Sequence, residues 1–204
     1  MAKPNVVNKE NLLQAAKEII AEHGMEKLTL KAVAESAQVT QGTVYYHFKT
    51  KDQLLLEVTE SFCKASWEQL GKDVQLEKAL QSAESRCVKD SMYHHLFFQL
   101  VASGLQNDAM KNKIGGLLHY ENQELTRVLN KNIGGTMTPQ ISTETWSILC
   151  NALIDGLALQ ALFNPSFSSD EVYGDLHLLL EKFIELQKGG NGSCLLYTSL
   201  MARG

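Results

Sequence analysis

The stretch 28–55, LTLKAVAESAQVTQGTVYYHFKTKDQLL, contains two short amphipathic segments separated by a tight turn. The spacing of apolar residues predicts one helix that begins after the capping residue Thr29. A second helix is expected to begin after Thr40 and to end near Phe48, with the turn between the two at 38–39. Two short helices joined by a turn of about three or four residues form a helix-turn-helix.

The second of these helices has an apolar face, anchored by Val44 and Phe48, and a hydrogen-bonding face. The hydrogen-bonding face carries short or planar polar groups on a helix narrow enough for the major groove of DNA. Lys51 just beyond this helix and Thr29 at the start of the first are placed to meet phosphates. The remaining residues of the predicted DNA surface are Thr40, Gln41, Gly42, Thr43, Tyr46 and His47.

The rest of the chain repeats apolar residues at three- and four-residue spacing, which predicts an all-α protein. Asn8 can cap a first helix that ends near residue 23, and Thr50 opens a longer helix with Gln53 as its capping-box partner. The Gly115-Gly116 pair is a candidate break in the third of the later helices. These later helices are expected at 76–91, 93–105, 108–131, 142–163 and 170–188.

Charge is distributed unevenly along the chain. Residues 1–52 hold seven Lys and six Asp or Glu, a net charge of +1, whereas the remaining residues carry −5. This asymmetry fits a DNA-binding head on an acidic body. No run of about eighteen apolar residues lacks a charge, and residues 1–9 form no signal-peptide core. A cytoplasmic location and no membrane partner are therefore expected.

Four scattered cysteines are present at Cys63, Cys87, Cys150 and Cys194. They form no CxxC pair and have no histidine at ligand spacing, which favours reduced thiols over a zinc site or a disulfide framework. A redox-sensing thiol is the alternative, and it requires a basic neighbourhood. The adjacent His94 and His95 point to different helix faces and cannot both bind one metal ion. We expect no metal and no cofactor.

Residues 28–55 closely resemble the DNA-binding domain of the TetR family of bacterial repressors, above all in Gly-Thr-Val-Tyr-Tyr-His-Phe-Lys-Thr-Lys at 42–51. With the flanking helix, the resemblance covers roughly a quarter of the chain. The rest matches in length, helix content and a local Ile-Asp-Gly-Leu pattern at 154–157. The resemblance implies that Thr29, Tyr46 and Lys51 hold phosphates. It also implies that bases or the adjoining backbone are met by Gln41, Gly42, Thr43, Tyr45 and His47.

Three positions leave questions open. The ring of Tyr45 can pack inside the domain instead of facing DNA. Gln38 stands where the family usually has glycine, so a left-handed backbone there would cost about 1 kcal/mol. Gln41 stands where relatives often have a basic residue, and its amide could read adenine bidentately. The last two departures concern the operator sequence, not DNA binding itself.

DNA binding by one such helix per chain predicts a dimer, because two recognition helices must lie about 34–36 Å apart to enter successive major grooves. The last two long helices carry strong apolar stripes, and Gly156 would permit close helix approach. An intramolecular core is the alternative for these stripes, since any helix must bury one face. By analogy with the family, the predicted dimer interface contains Trp146, Leu149, Leu153, Gly156, Leu157, Val172, Leu176, Leu179 and Phe183.

Two segments mix aromatic, imidazole and amide groups, as the walls of ligand pockets do. They predict a pocket for a small apolar or amphipathic effector, although each residue could instead be ordinary core. The predicted pocket residues are Tyr93, His94, Phe97, Phe98, His119, Tyr120 and Gln123.

These expectations combine into a three-helix helix-turn-helix domain at 1–52 and a helical ligand-binding and dimerisation domain at 53–188. Residues 189–204 read as a disordered or cloning-derived tail. The predicted function is a TetR-type repressor that binds a palindromic double-stranded DNA operator as a homodimer and is released by a small molecule. A DNA-bound architectural or cell-division factor and a protein-binding adaptor are the alternatives. An enzyme is not expected, because no nucleophile–base spacing, phosphate-binding glycine loop or HExxH occurs.

Overall fold

The computed structural model describes residues 8–133 and 140–189, except for the side chains of 183, 184 and 186–189. These residues form nine α-helices, a 3-10 turn at Met25–Lys27 and no strand, which confirms the predicted all-α class. The helices are α1 Lys9–His23, α2 Leu30–Ser36, α3 Gln41–Phe48, α4 Lys51–Leu70, α5 Leu76–Ser85, α6 Met92–Gly104, α7 Asp108–Ile133, α8 Thr143–Phe163 and α9 Ser169–Gly189. The predicted tail begins at the last residue of α9, and 190–204 lie outside the described residues.

Side-chain caps set the starts of the first four helices, because each cap accepts a backbone N–H that the first helical turn leaves without a partner. The caps of α2, α3 and α4 are Thr29, Thr40 and Thr50, as predicted. The Thr50 hydroxyl accepts from the Gln53 N–H at 3.1 Å. The Gln53 side chain does not complete the expected capping box, because the Thr50 N–H donates to the Phe48 carbonyl and the Gln53 Oε1 accepts from Lys113 instead.

Two later helices differ from their predicted extents. α5 ends at Ser85, earlier than the predicted 91, because the chain tightens where the Cys87 N–H bonds the Glu84 carbonyl at 2.8 Å. Ser91 then caps α6. In contrast, α7 runs unbroken through Gly115-Gly116. Each glycine costs a helix about 1 kcal/mol relative to alanine, which burial of the neighbouring apolar residues on α7 can offset.

The described residues divide into two compact units. The first contains residues 8–73 together with Asp90–Glu121, and the second contains Val74–Lys89 and the described residues from Asn122 onward. The first unit therefore joins the predicted 1–52 domain to α4, α6 and the first part of α7.

The core of the first unit lies where α1, α2, α3 and α4 bring their apolar faces together. The side chains of Leu12, Val33, Val44, Phe48 and Leu54 are fully buried. Burial of a large apolar side chain contributes about 1.5–3 kcal/mol, so these residues fix the orientation of the short helices.

The core of the second unit surrounds Tyr173 of α9, which is fully buried. Ala83 of α5, Ala161 of α8 and Cys87 complete the cluster. Burial raises the pKa of both the Cys87 thiol and the Tyr173 phenol. Both groups are therefore neutral at physiological pH, as suits an apolar core.

Within residues 8–133 and 140–189, two residues other than glycine have a positive φ, and both flank α3. Gln38 has φ 54° and Lys49 has φ 57°. At Gln38 the turn is closed by a hydrogen bond from the Val39 N–H to the Ala34 carbonyl at 2.9 Å. The left-handed conformation expected for Gln38 is thus present, and a side chain there carries a steric cost.

We predict that Gln38→Gly raises the free energy of unfolding by up to about 1 kcal/mol, because glycine adopts a positive φ without the clash of a Cβ atom. The matched control is Gln38→Ala, which keeps the Cβ atom and should leave stability nearly unchanged. Urea unfolding followed by circular dichroism measures both. Equal stability of the glycine variant and the parent protein would show that the backbone at Gln38 is not strained.

Candidate nucleic-acid interface

The two faces of α3 differ sharply in exposure. Val44 and Phe48 are fully buried, whereas Tyr45 is 58% exposed and Tyr46 is 73% exposed. Gln41 and Gly42 at the start of the helix are also exposed. The helix therefore presents a contiguous polar and aromatic surface at the edge of the first unit.

The hydroxyls of Thr40 and Thr43 are engaged with each other at the start of α3. Their oxygens lie 3.1 Å apart, and Thr40 also accepts the Thr43 N–H at 3.3 Å. His47 is half-buried, and its ring meets that of Tyr46 edge-on with centroids 5.3 Å apart. The most accessible of the predicted recognition-helix side chains are therefore Gln41, Tyr45 and Tyr46.

The two predicted phosphate contacts outside α3 lie at helix starts. The Thr29 hydroxyl accepts the Ala32 N–H at 3.0 Å. A hydroxyl has two lone pairs and one hydrogen, so this cap leaves its hydrogen available for a phosphate oxygen. Lys51 is exposed in the first turn of α4. Both groups can donate to a phosphate without giving up a contact that stabilises the fold.

The ring of Tyr45 does not pack inside the domain. The ammonium of Lys49 lies 5.3 Å from its centroid. Of the two roles open to Tyr45 from the sequence, the structure supports the surface one. Lys49 was not predicted from the sequence to lie on this surface, although it follows two consecutive tyrosines by three residues.

The start of α4 is held by polar contacts from other helices of the first unit. Asp52 accepts a hydrogen bond from Ser103 of α6 at 3.1 Å. Gln53 accepts from Lys113 of α7. Partners fifty or more residues away leave no local pattern, so sequence reasoning could not find them. The contacts fix the base of the candidate interface.

The predicted pocket residues divide by exposure. Tyr93, His94 and Phe97 are buried in the first unit, with the rings of Tyr93 and Phe97 stacked 6.1 Å apart. Phe98 and Tyr120 are half-buried. His119 and Gln123 are exposed, and the structure does not bring them to the buried group.

Sequence reasoning missed Glu121, a carboxylate that is only 6% exposed. The Tyr93 hydroxyl donates to its Oε1 at 2.5 Å, and the Cys63 thiol lies 3.5 Å from the same oxygen. We call these three residues, one each from α4, α6 and α7, the Glu121 cluster. The available signal was the spacing, because Glu121 stands four residues from both Leu117 and Leu125 on the buried face of α7.

The predicted dimer residues are only partly on the surface. Leu149, Leu153 and Leu179 are 50%, 44% and 66% exposed. Leu157 and Leu176 pack against the Tyr173 core instead. Gly156 is exposed, Trp146 and Val172 are half-buried, and the side chain of Phe183 lies outside those described. Further exposed apolar residues, missed from the sequence, are Ile148, Leu159, Phe163 and Leu178.

This exposed face makes α8 unusually apolar for a surface helix. By length and composition alone α8 could cross a membrane, with a mean hydropathy of 1.4 over eighteen residues and 22% of that window buried. One such helix is weak evidence for a membrane span, and Asp155 lies within it. Among the described residues no group of three His, Cys, Asp or Glu could hold a metal ion, and Cys63, Cys87 and Cys150 are not in disulfide bonds.

Comparison with known proteins connects this geometry to a family. Residues 12–58 match the family described as bacterial regulatory proteins, tetR family. The HTH-type transcriptional repressor KstR2 of Mycolicibacterium smegmatis is 37% identical over 54 residues, which are 26% of this chain and 26% of KstR2. This chain thus matches about a quarter of the length of that relative.

Two further similarities extend beyond the helix-turn-helix. The HTH-type transcriptional regulator UidR of Escherichia coli strain K12 is 22% identical over 169 residues, covering 74% of this chain and 85% of UidR. The crystal structure of a putative TetR-family transcriptional regulator from Rhodococcus sp. superposes with a TM-score of 0.64 at 21% identity, covering 86% of this chain and 97% of that one. These relatives are regulators rather than enzymes. The helix-turn-helix segment of this chain thus matches the tetR family of bacterial regulatory proteins, and its helical fold is similar to that of the Rhodococcus structure.

Proposed function

We propose that this chain is a transcriptional repressor that inserts α3 into the major groove of a palindromic DNA operator as a homodimer and leaves DNA when a small molecule binds. The observation that carries the proposal is the outer face of α3. Its exposed side chains are an amide and two phenols, which hydrogen-bond to bases or phosphates. Val44 and Phe48 hold the opposite face inside.

The polar groups on and around α3 are of two kinds: those placed to contact bases and those placed to bind phosphates. Gln41 is exposed at the first turn, where recognition helices contact base edges. Its amide can donate to and accept from adenine. Lys51 and Thr29 lie outside α3 and are placed to bind phosphates. Phosphate contacts supply affinity without sequence preference.

The exposed apolar face of α8 and α9 supports the dimer. Leu149 and Leu153 on α8 and Leu179 on α9 are each at least 44% exposed. Exposed apolar side chains that form a patch usually mark an interaction site. A second copy of the chain is the partner that DNA binding requires, because one recognition helix per protomer must enter each of two grooves. The twofold symmetry of such a dimer implies a palindromic operator.

The Glu121 cluster supports an effector site in the first unit. Its carboxylate and phenol are directional polar groups, and the stacked rings of Tyr93 and Phe97 provide apolar surface. This mixture is typical of ligand sites. Because Cys63 belongs to α4, a ligand that moves the cluster also moves the helix that follows α3. We infer a small apolar or amphipathic effector that favours a different position of α4.

Our first prediction for this function distinguishes phosphate contacts from base contacts. Lys51→Ala should weaken binding to every DNA sequence and lower the salt dependence by about one unit per protomer, because one phosphate contact is lost. Gln41→Ala should change sequence preference more than salt dependence. Lys182→Ala on α9 is the control and should bind like the parent protein. The measurement is fluorescence anisotropy across a salt titration, with duplexes selected from a random pool. Parent-like binding by both α3 and α4 variants would refute this docking.

The second prediction concerns assembly. The parent protein should sediment as a homodimer at micromolar concentration. The double variant Leu153→Glu and Leu179→Glu should be monomeric and lose operator binding, because burying unpaired carboxylates is costly. Leu105→Glu is a matched control, since Leu105 is 68% exposed and lies outside α8 and α9. A double variant that remains dimeric would remove these leucines from the interface.

The third prediction concerns release. A screen of amphipathic small molecules by thermal shift should find ligands that stabilise the protein and weaken operator binding by about 5- to 150-fold. Operator DNA must weaken ligand binding by the same factor, because coupling is reciprocal. Tyr93→Phe should reduce ligand affinity while leaving DNA binding in the absence of ligand unchanged. Ligands that bind near Tyr93 and leave operator affinity unaltered would contradict allosteric release.

A further inference from the structure

The connection between α3 and α4 is an unusually tight turn centred on Lys49. Its φ is 57° and its ψ is −45°. The Thr50 N–H donates to the Phe48 carbonyl at 2.5 Å, which closes a three-residue ring. These features define a classic γ-turn, a conformation that is rare and strained. Glycine would adopt it at a lower steric cost.

The side chain of Lys49 is held on the outer surface by two aromatic rings. Its ammonium lies 5.3 Å from the ring centroid of Tyr45 and 5.2 Å from that of Tyr46. Both distances are within the range of cation–π attraction. Because both tyrosines belong to the exposed face of α3, the charge of Lys49 is fixed beside the candidate DNA surface.

Lys49 also differs from Lys9 and Lys31 in its charged surroundings. Lys9 pairs with Glu57, and Lys31 lies 3.8 Å from Glu35. Among the residues that the structure describes, no carboxylate pairs with Lys49. The neighbouring carboxylate of Asp52 is turned toward Ser103. The ammonium of Lys49 is thus a positive charge held in place by two rings, with no counterion among the described side chains.

We propose that Lys49 is a further DNA-contacting residue, held in place by Tyr45 and Tyr46 to bind a backbone phosphate next to the one bound by Lys51. The inference rests on the proposed DNA-binding function. An ammonium is a point charge that suits phosphate, whereas base edges are read best by planar bidentate groups. Lys49 follows the last turn of α3, and contacts to the flanking backbone position a recognition helix without reading sequence.

This role explains why a strained position carries a lysine. Backbone strain persists at functional sites where the side chain must point in one direction. Lys49→Gly relieves the strain and removes the charge together, whereas Lys49→Arg keeps both, so a loss of DNA binding in Lys49→Gly without a loss of stability points to the charge. A lysine with only a structural role gives a different result, since removing its contacts with the two tyrosines would not alter salt-dependent DNA binding.

The experiment compares Lys49→Gly, Lys49→Arg and Gln38→Gly with the parent protein, using a duplex selected from a random pool and a scrambled duplex. Lys49→Gly should melt no lower than the parent, yet bind both duplexes on the order of tenfold more weakly in about 0.1 M salt, with a salt dependence lower by about one unit per protomer. Lys49→Arg retains the charge and should bind nearly as the parent does. Gln38→Gly relieves strain at the other end of α3 and should leave DNA affinity and salt dependence unchanged.

The outcomes separate the inference from the function on which it rests. A parent protein that binds neither duplex overturns the proposed function. A parent protein that binds DNA while Lys49→Gly binds with equal affinity and equal salt dependence overturns the role of Lys49 alone. A loss confined to the selected duplex also overturns it, because that pattern indicates base reading.

Discussion

The burial of Val44 and Phe48 determines which face of α3 is available to a partner. Both side chains are fully buried, and the Lys9 ammonium of α1 lies 5.9 Å from the Phe48 ring. A helix of eight residues has little stability of its own, so its position depends on this packing. With one face fixed in the core, the geometry of the helix places Gln41, Tyr45 and Tyr46 on the opposite side.

The helix α4 follows α3 directly and connects it to α6 and α7 of the first unit. Contacts from Ser103 of α6 and Lys113 of α7 hold its first turn. Further along α4, Cys63 meets Glu121. Of these contacts only the one between Cys63 and Glu121 is buried, and a polar group buried with its partner is costly to separate from it. That contact therefore ties the middle of α4 to α7 more firmly than the contacts at its first turn do.

Features encoded by nearby residues could be predicted from the sequence. The caps at Thr29, Thr40 and Thr50 place three helix starts, and apolar spacing identifies the buried face of α3. The end of α5 was missed because no glycine or proline marks the turn in which the Cys87 N–H bonds the Glu84 carbonyl. Glu121 was missed because a single carboxylate on the apolar face of a helix does not reveal its partner. The Tyr93 hydroxyl that donates to it belongs to another helix.

The surface of α8 shows where a sequence pattern is ambiguous. An apolar stripe predicts burial but not the partner, and the sequence left both a dimer interface and an internal core open. The structure divides the stripe, since Leu157 packs on the Tyr173 core while Leu153 is 44% exposed. Only a tertiary structure could separate these residues, because they lie four positions apart on one helix.

The central claim is that two copies of α3 occupy successive major grooves on one face of DNA. Methylation interference at guanine N7 tests it most directly, because that atom lies in the major groove. With a selected operator, the account predicts two blocks of interference centred about 10–10.5 base pairs apart or at a multiple of that spacing, related by twofold symmetry. A single block, or protein bound with no major-groove interference, would contradict the account.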